Sequence, residues 1–157
     1  MNFILKRKNI YLLIFIYSII AILSAIYIEN VLGYLPCKLC IYQRIPFLVS
    51  IFICFIGYNY IKSDRILIAL IVTFTLSTAL AGYHFGIENS IFEEYAGCSN
   101  TNIDITNKEK IMETLGMVKN CKEVEFSILG ISLSGLNFLT SLLIVLFSLR
   151  ALIYEKD

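Results

Sequence analysis

Four long apolar runs constrain this chain more than any other feature: Ile10 to Ile28, Ile41 to Ile61, Ile66 to Gly86 and Ile128 to Leu149. An α-helix rises 1.5 Å per residue, so roughly 20 apolar residues cross the ~30 Å hydrocarbon core of a bilayer. Hydrophobic residues make up 58% of the 157 positions, above the ~45–50% of ordinary soluble domains. The expected fold is therefore an all-α membrane protein, a four-transmembrane-helix bundle with two extracytoplasmic loops, formed as one domain over residues 1–157.

The first run is longer than the ~7–15 apolar residues of a secretory signal. Ser24-Ala25 is followed by bulky Ile26-Tyr27-Ile28 instead of a small-residue cleavage site. A retained first helix is expected. Lys6, Arg7, Lys8, Lys62, Arg65, Arg150 and Lys156 fall at one set of span ends. By the inside-positive rule that set is cytoplasmic, with both termini inside and the segments 29–40 and 87–127 outside. The net charge of +1 shows none of the clustered basic surface that nucleic-acid binding requires.

The longer outer segment carries eight acids and four lysines. Within it, Thr106-Asn107-Lys108-Glu109 has capping-box spacing, and Ile111, Leu115 and Val118 follow at helical intervals. A short amphipathic helix is expected there, lying on the membrane surface or packed on the bundle.

Four of the five cysteines fall on the outer side: Cys37 and Cys40 in one segment, Cys98 and Cys121 in the other. Pro36 suits a first helical turn and places Cys37 and Cys40 at the start of the second span. There the helix dipole and unpaired N–H groups favour a thiolate, and the C-x-x-C spacing allows rapid opening and closing of a bridge. The same spacing also serves a structural disulfide or half of a zinc site. A spacing of 23 positions between Cys98 and Cys121 fits an ordinary structural disulfide worth about 3–4 kcal/mol. A zinc site built from all four would normally show two short knuckles, and only one is present, so no metal is expected. Cys54 lies mid-span and reads as a small apolar packing residue.

Arg44 follows Cys40 by four residues, one helical turn along the same face. An ionisable group inside a span marks a functional site by default, while snorkelling toward the interface is the bland explanation. A fixed cation beside a thiol can hold a carbonyl oxygen that gains charge. His84, the only histidine, lies near the outer end of the third span at the level of Arg44 and the Cys37/Cys40 pair. Gly82 and Gly86 flank it in a small-x-x-x-small pattern that admits a helix or a flat ring. Glu88, four residues on, can orient the imidazole or serve as an exposed loop acid.

The octet Cys37-Lys38-Leu39-Cys40-Ile41-Tyr42-Gln43-Arg44 resembles the disulfide bond formation protein B (DsbB) family. So do Ala81-Gly82-Tyr83-His84-Phe85-Gly86-Ile87-Glu88 and the stretch from Cys121 to Ser132. Gln43 stands where many relatives carry Glu, which leaves the route of proton delivery open. Phe126 and Leu136 replace Trp, a change that bears on packing.

The resemblance implies a membrane disulfide oxidoreductase of the bacterial cytoplasmic membrane, its redox loops periplasmic. Such a protein reoxidises a periplasmic thioredoxin-fold, DsbA-like oxidase and passes the electrons to a membrane quinone, ubiquinone or menaquinone. It further implies redox-active disulfides Cys37–Cys40 and Cys98–Cys121. Cys98 would receive the partner's thiolate, Cys121 would exchange with Cys37, and Cys40 would face the quinone, with Arg44 and His84 as cofactor-binding residues.

Overall fold

The computed structural model describes residues 7–60, 63–93, 121, 122, 124, 126–128 and 130–154. Four long helices dominate: α1 Arg7–Asn30, α2 Lys38–Asn59, α3 Asp64–Glu88 and α4 Leu133–Tyr154. All four are long and apolar enough to cross a membrane, yet only 22–28% of their most apolar windows is buried within the protein. Large apolar side chains such as Leu23, Phe52, Leu76 and Phe147 point outward. In water that surface would drive aggregation, whereas in lipid it is the solvated face. The expected four-helix membrane bundle is the observed one. The amphipathic segment expected around residues 106–118 lies outside the described residues.

The first three spans sit within a few residues of their expected bounds, and the fourth does not. It begins at Leu133 instead of Ile128, because Ser127–Ile128 and Ile131–Ser132 pair first as a short antiparallel hairpin, β1 and β2. Gly130, at φ +82°, supplies the left-handed backbone that the hairpin needs. Ser132 then starts α4 by accepting the Gly135 N–H at 3.2 Å, the geometry of a helix N-cap.

Successive helices pack side by side, while α1 and α4 barely touch. The core at the Arg7 end gathers Tyr11, Ile14, Phe47, Leu67 and Phe74, and includes Cys54 as the apolar packing residue expected of it. Arg7 reaches Asp64 at 2.6 Å and ties the starts of α1 and α3 together. Two buried hydroxyl pairs join neighbouring helices at mid-depth, Ser18 with Ser50 at 2.7 Å and Ser77 with Ser141 at 3.1 Å. Small hydroxylated residues permit close approach in a bilayer and satisfy one another there.

Gly57 is a point of close approach between α1 and α2. A Cβ at this position would stand 2.7 Å from the Tyr11 ring, inside contact distance of a fully buried side chain. Overpacking of this kind costs about 1–3 kcal/mol. Gly57→Ala is expected to lower the thermal midpoint of the detergent-solubilised protein, whereas the same change at Gly33, where no atom lies within 4 Å, tests backbone strain alone. An unchanged midpoint for Gly57→Ala would show that the α1–α2 contact is soft.

Candidate active site

The site forms where the N-terminus of α2 meets the end of α3 and the start of α4. Cys37 is the N-cap of α2, and its sulfur accepts the Cys40 N–H at 3.2 Å. Pro36 therefore precedes the cap on an extended arm and does not occupy the first turn, as its preference alone would suggest. One turn of helix brings the Cys40 sulfur to 2.9 Å from that of Cys37, and both cysteines are free thiols. The thiol of Cys37 is held well below the usual thiol range. Hydrogen bonding from Cys40 is the main cause, burial opposes it, and His84 and the Cys40 backbone N–H assist. Cys37 is thus the thiolate of the pair, stabilised at a helix N-terminus.

His84 is buried against this sulfur, its Nε2 3.6 Å from Cys37 Sγ. The same nitrogen lies 3.6 Å from Glu88 Oε1. Glu88 is itself buried, and its other carboxylate oxygen accepts from the hydroxyls of Ser132 and Ser134 at the start of α4. It is a largely buried carboxylate held by two hydroxyls, and not an exposed loop acid. On the far side of the ring, His84 Nδ1 is 2.8 Å from Gln43 Nε2, and Gln43 Oε1 accepts from Asn137 Nδ2 at 2.8 Å. Gln43 and Asn137 thus join the site through interhelical contacts, as do Ser132 and Ser134.

Arg44 does not snorkel alone. Its Nη1 donates to Glu29 Oε2 at 2.7 Å. Glu29 lies in the last turn of α1, where a negative charge opposes the helix dipole, so the guanidinium offsets a local electrostatic cost. Arg44 and Cys40 both border a cavity of about 340 Å³ between α1, α2 and the start of α4, as do Tyr17, Phe47 and Ser134. Its walls are mainly apolar, with a few convergent polar groups, the usual make-up of a small-molecule site. It lies between α1 and α4, which barely touch. The spaces beside Gly82 and Gly86 are taken by Phe138 and Phe92, so these glycines admit the chain's own rings.

Cys121 is buried and disulfide-bonded. Its sulfur, the Cys37 sulfur and a His84 ring nitrogen all lie within 4.8 Å of one another. A disulfide sulfur lacks the thiolate charge that zinc coordination uses, so this proximity suits thiol–disulfide exchange. Cys98 lies outside the described residues. Of the residues singled out from the sequence, Cys37, Cys40, Arg44, His84 and Cys121 all converge here.

The sequence model of the family described as "Disulfide bond formation protein DsbB" matches residues 7–151. An uncharacterized protein of Rickettsia prowazekii (strain Madrid E) is 30% identical over 158 aligned positions, covering 97% of this chain and 91% of the relative. A disulfide bond formation protein B of Acinetobacter baumannii is 30% identical over 145 positions, covering 84% of each. A probable disulfide formation protein of Oceanobacillus iheyensis is 35% identical over 100 positions, 61% of this chain and 67% of the relative.

Proposed function

Since the chain belongs to the DsbB family of disulfide bond formation proteins, we propose that it reoxidises a periplasmic thioredoxin-fold, DsbA-like oxidase and delivers the electrons to a membrane quinone. The observation that carries this reading is the pair of neighbours around Cys37. Cys121 lies within 4.8 Å of it, and Cys40, 2.9 Å away, borders the cavity together with Arg44. Thiol exchange needs the first arrangement, and transfer to a lipid-soluble acceptor needs the second. The membrane is the bacterial cytoplasmic membrane, with both termini inside and the cysteine segments periplasmic.

Exchange runs in two balanced steps. The partner's dithiol reduces the Cys98–Cys121 disulfide, leaving the partner oxidised and two thiols on the loop. The Cys121 thiolate then attacks Cys37 in the Cys37–Cys40 disulfide and expels Cys40 as a thiolate; Cys98 displaces Cys37 from Cys121 and restores the loop disulfide. One partner dithiol has thereby become one dithiol at Cys37 and Cys40. The Cys40 N–H and His84 stabilise the Cys37 sulfur as it regains negative charge.

The cavity fits a flat, lipid-soluble ring. Its lining is apolar, one guanidinium faces it, and it sits at the seam through which a ligand dissolved in hydrocarbon reaches the bundle. Arg44 and Tyr17 would hold such a quinone beside Cys40. When bound, a quinone supplies the acceptor for two electrons and two protons. Glu29 keeps the guanidinium in place, and Glu88, on the cavity wall, has a carboxylate oxygen 3.6 Å from His84.

The test follows quinone reduction by purified protein supplied with a reduced thioredoxin-fold oxidase. Arg44→Met is expected to raise KM for the quinone by roughly tenfold or more, since hydrogen bonds to charged groups are worth about 1.5–3 kcal/mol, with KM for the partner unchanged. Absence of quinone reduction by the unsubstituted protein would overturn the proposal. Equal shifts in both constants would reduce Arg44 to a packing role.

A further inference from the structure

A single file of hydrogen bonds runs through the bundle to the Cys37 sulfur. Ser141 Oγ donates to Asn137 Oδ1 at 2.9 Å, and Asn137 Nδ2 donates to Gln43 Oε1 at 2.8 Å. Gln43 Nε2 then meets His84 Nδ1 at 2.8 Å, and His84 Nε2 faces Cys37 Sγ at 3.6 Å. Each primary amide has a donor end and an acceptor end, so the direction of one link dictates the next.

The anionic end sets that direction. His84 Nε2 is 3.6 Å from the Cys37 sulfur and 3.6 Å from a Glu88 carboxylate oxygen. Glu88 is fixed there by two serine hydroxyls. A bare nitrogen at this position would turn its lone pair toward both acceptors, whereas an N–H serves them. With the proton on Nε2, the opposite nitrogen must accept, and the Gln43 NH2 group is there to donate. Gln43 can present that NH2 only while its carbonyl is occupied, and Asn137 occupies it. Reversing the file around a neutral ring would leave lone pair against lone pair at Nε2, a costly arrangement among buried groups.

We propose that Asn137 and Gln43 are positioning residues whose amides lock His84 as the Nε2–H tautomer, so that the ring presents a fixed N–H donor between Cys37 and Glu88. The lock also bars the imidazole from relaying a proton from one nitrogen to the other, because Nδ1 faces a donor. The catalytic importance of this device rests on Cys37/Cys40 being the redox pair. The tautomer itself does not.

His84 is the chain's only histidine, so histidine-selective 15N labelling reports this one ring. The spectrum of the detergent-solubilised protein near neutral pH is expected to show a protonated Nε2 and a bare Nδ1. Asn137→Asp does not touch the ring, yet its carboxylate would accept from the Gln43 NH2. That turns the Gln43 carbonyl toward the imidazole and moves the proton to Nδ1. Asn137→Leu leaves Gln43 unanchored and is expected to give a mixture of both forms. A wild-type ring protonated at Nδ1 overturns the proposal whether or not any variant folds, and so does a pure Nε2–H spectrum in both folded variants. Turnover is not read in this experiment, so loss of quinone activity and loss of the tautomer lock are separate outcomes.

Discussion

Cys40→Ala is expected to convert a multiple-turnover oxidase into one that oxidises about a single equivalent of reduced partner and then stops. The loop disulfide containing Cys121 is still present to be reduced once. With Cys40 gone, Cys37 has no partner on its own helix with which to close a bridge, although it too borders the cavity. The remaining thiols are left without a route to an acceptor. The helix need not suffer, because the N-cap is the Cys37 sulfur and the backbone N–H it accepts belongs to residue 40 whatever its side chain. Rapid-mixing measurement of partner oxidation, with quinone absorbance followed in parallel, distinguishes a stoichiometric burst from sustained turnover. Sustained quinone reduction by the variant would dismantle the assignment of Cys40 to the acceptor side.

Why some of this site is legible from the sequence and some is not follows from the range of the signals involved. Apolar runs announce spans because a bilayer imposes one length on all of them, and the first three helices appear nearly where the runs lie. The fourth start is displaced because the run from Ile128 onward is apolar in either conformation. Ser132, the side chain that caps α4, lies inside the run.

Cys37, Cys40 and Arg44 are readable together because three- and four-residue offsets fix their relation on one helix. Gln43 with Asn137 spans 94 positions and Glu88 with Ser134 spans 46, and no local spacing encodes such meetings. A clue was present all the same: Gln43 and Asn137 are amides inside apolar runs, and polar groups at membrane depth need partners. The glycines beside His84 were legible only in part: flat rings do approach them. A small-x-x-x-small pattern states that something approaches, but not that it is Phe138 or Phe92.

His84→Ala is expected to make the Cys37/Cys40 pair less oxidising and to raise the pH at which Cys37 becomes reactive. Whatever stabilises the Cys37 thiolate stabilises the reduced pair, and a stabilised reduced form is what makes a disulfide a strong oxidant. Cys40 provides the larger share of that stabilisation and stays in place, while His84 supplies a further hydrogen bond. A charged hydrogen bond worth about 1.5 kcal/mol, the low end for an acceptor as diffuse as sulfur, corresponds to roughly 30 mV for a two-electron couple.

The pH dependence has a definite sign. A folded-state thiol pKa below the unfolded value of about 8.5 means that the unfolded chain binds more protons between the two values. The thiolate's contribution to the stability of the reduced protein is therefore complete above the unfolded pKa, and it is lost as pH falls through the lowered folded one. In His84→Ala that window narrows from its acidic side. Titration of the pair against a dithiol buffer, in a background with Cys98 and Cys121 both replaced by Ser, gives the potential. The pH profile of Cys37 alkylation in the same background gives the thiolate. If potential and profile both stayed put, the 3.6 Å contact between His84 and Cys37 would be one of packing alone, and the oxidising character of the pair would rest on Cys40 and the helix N-terminus.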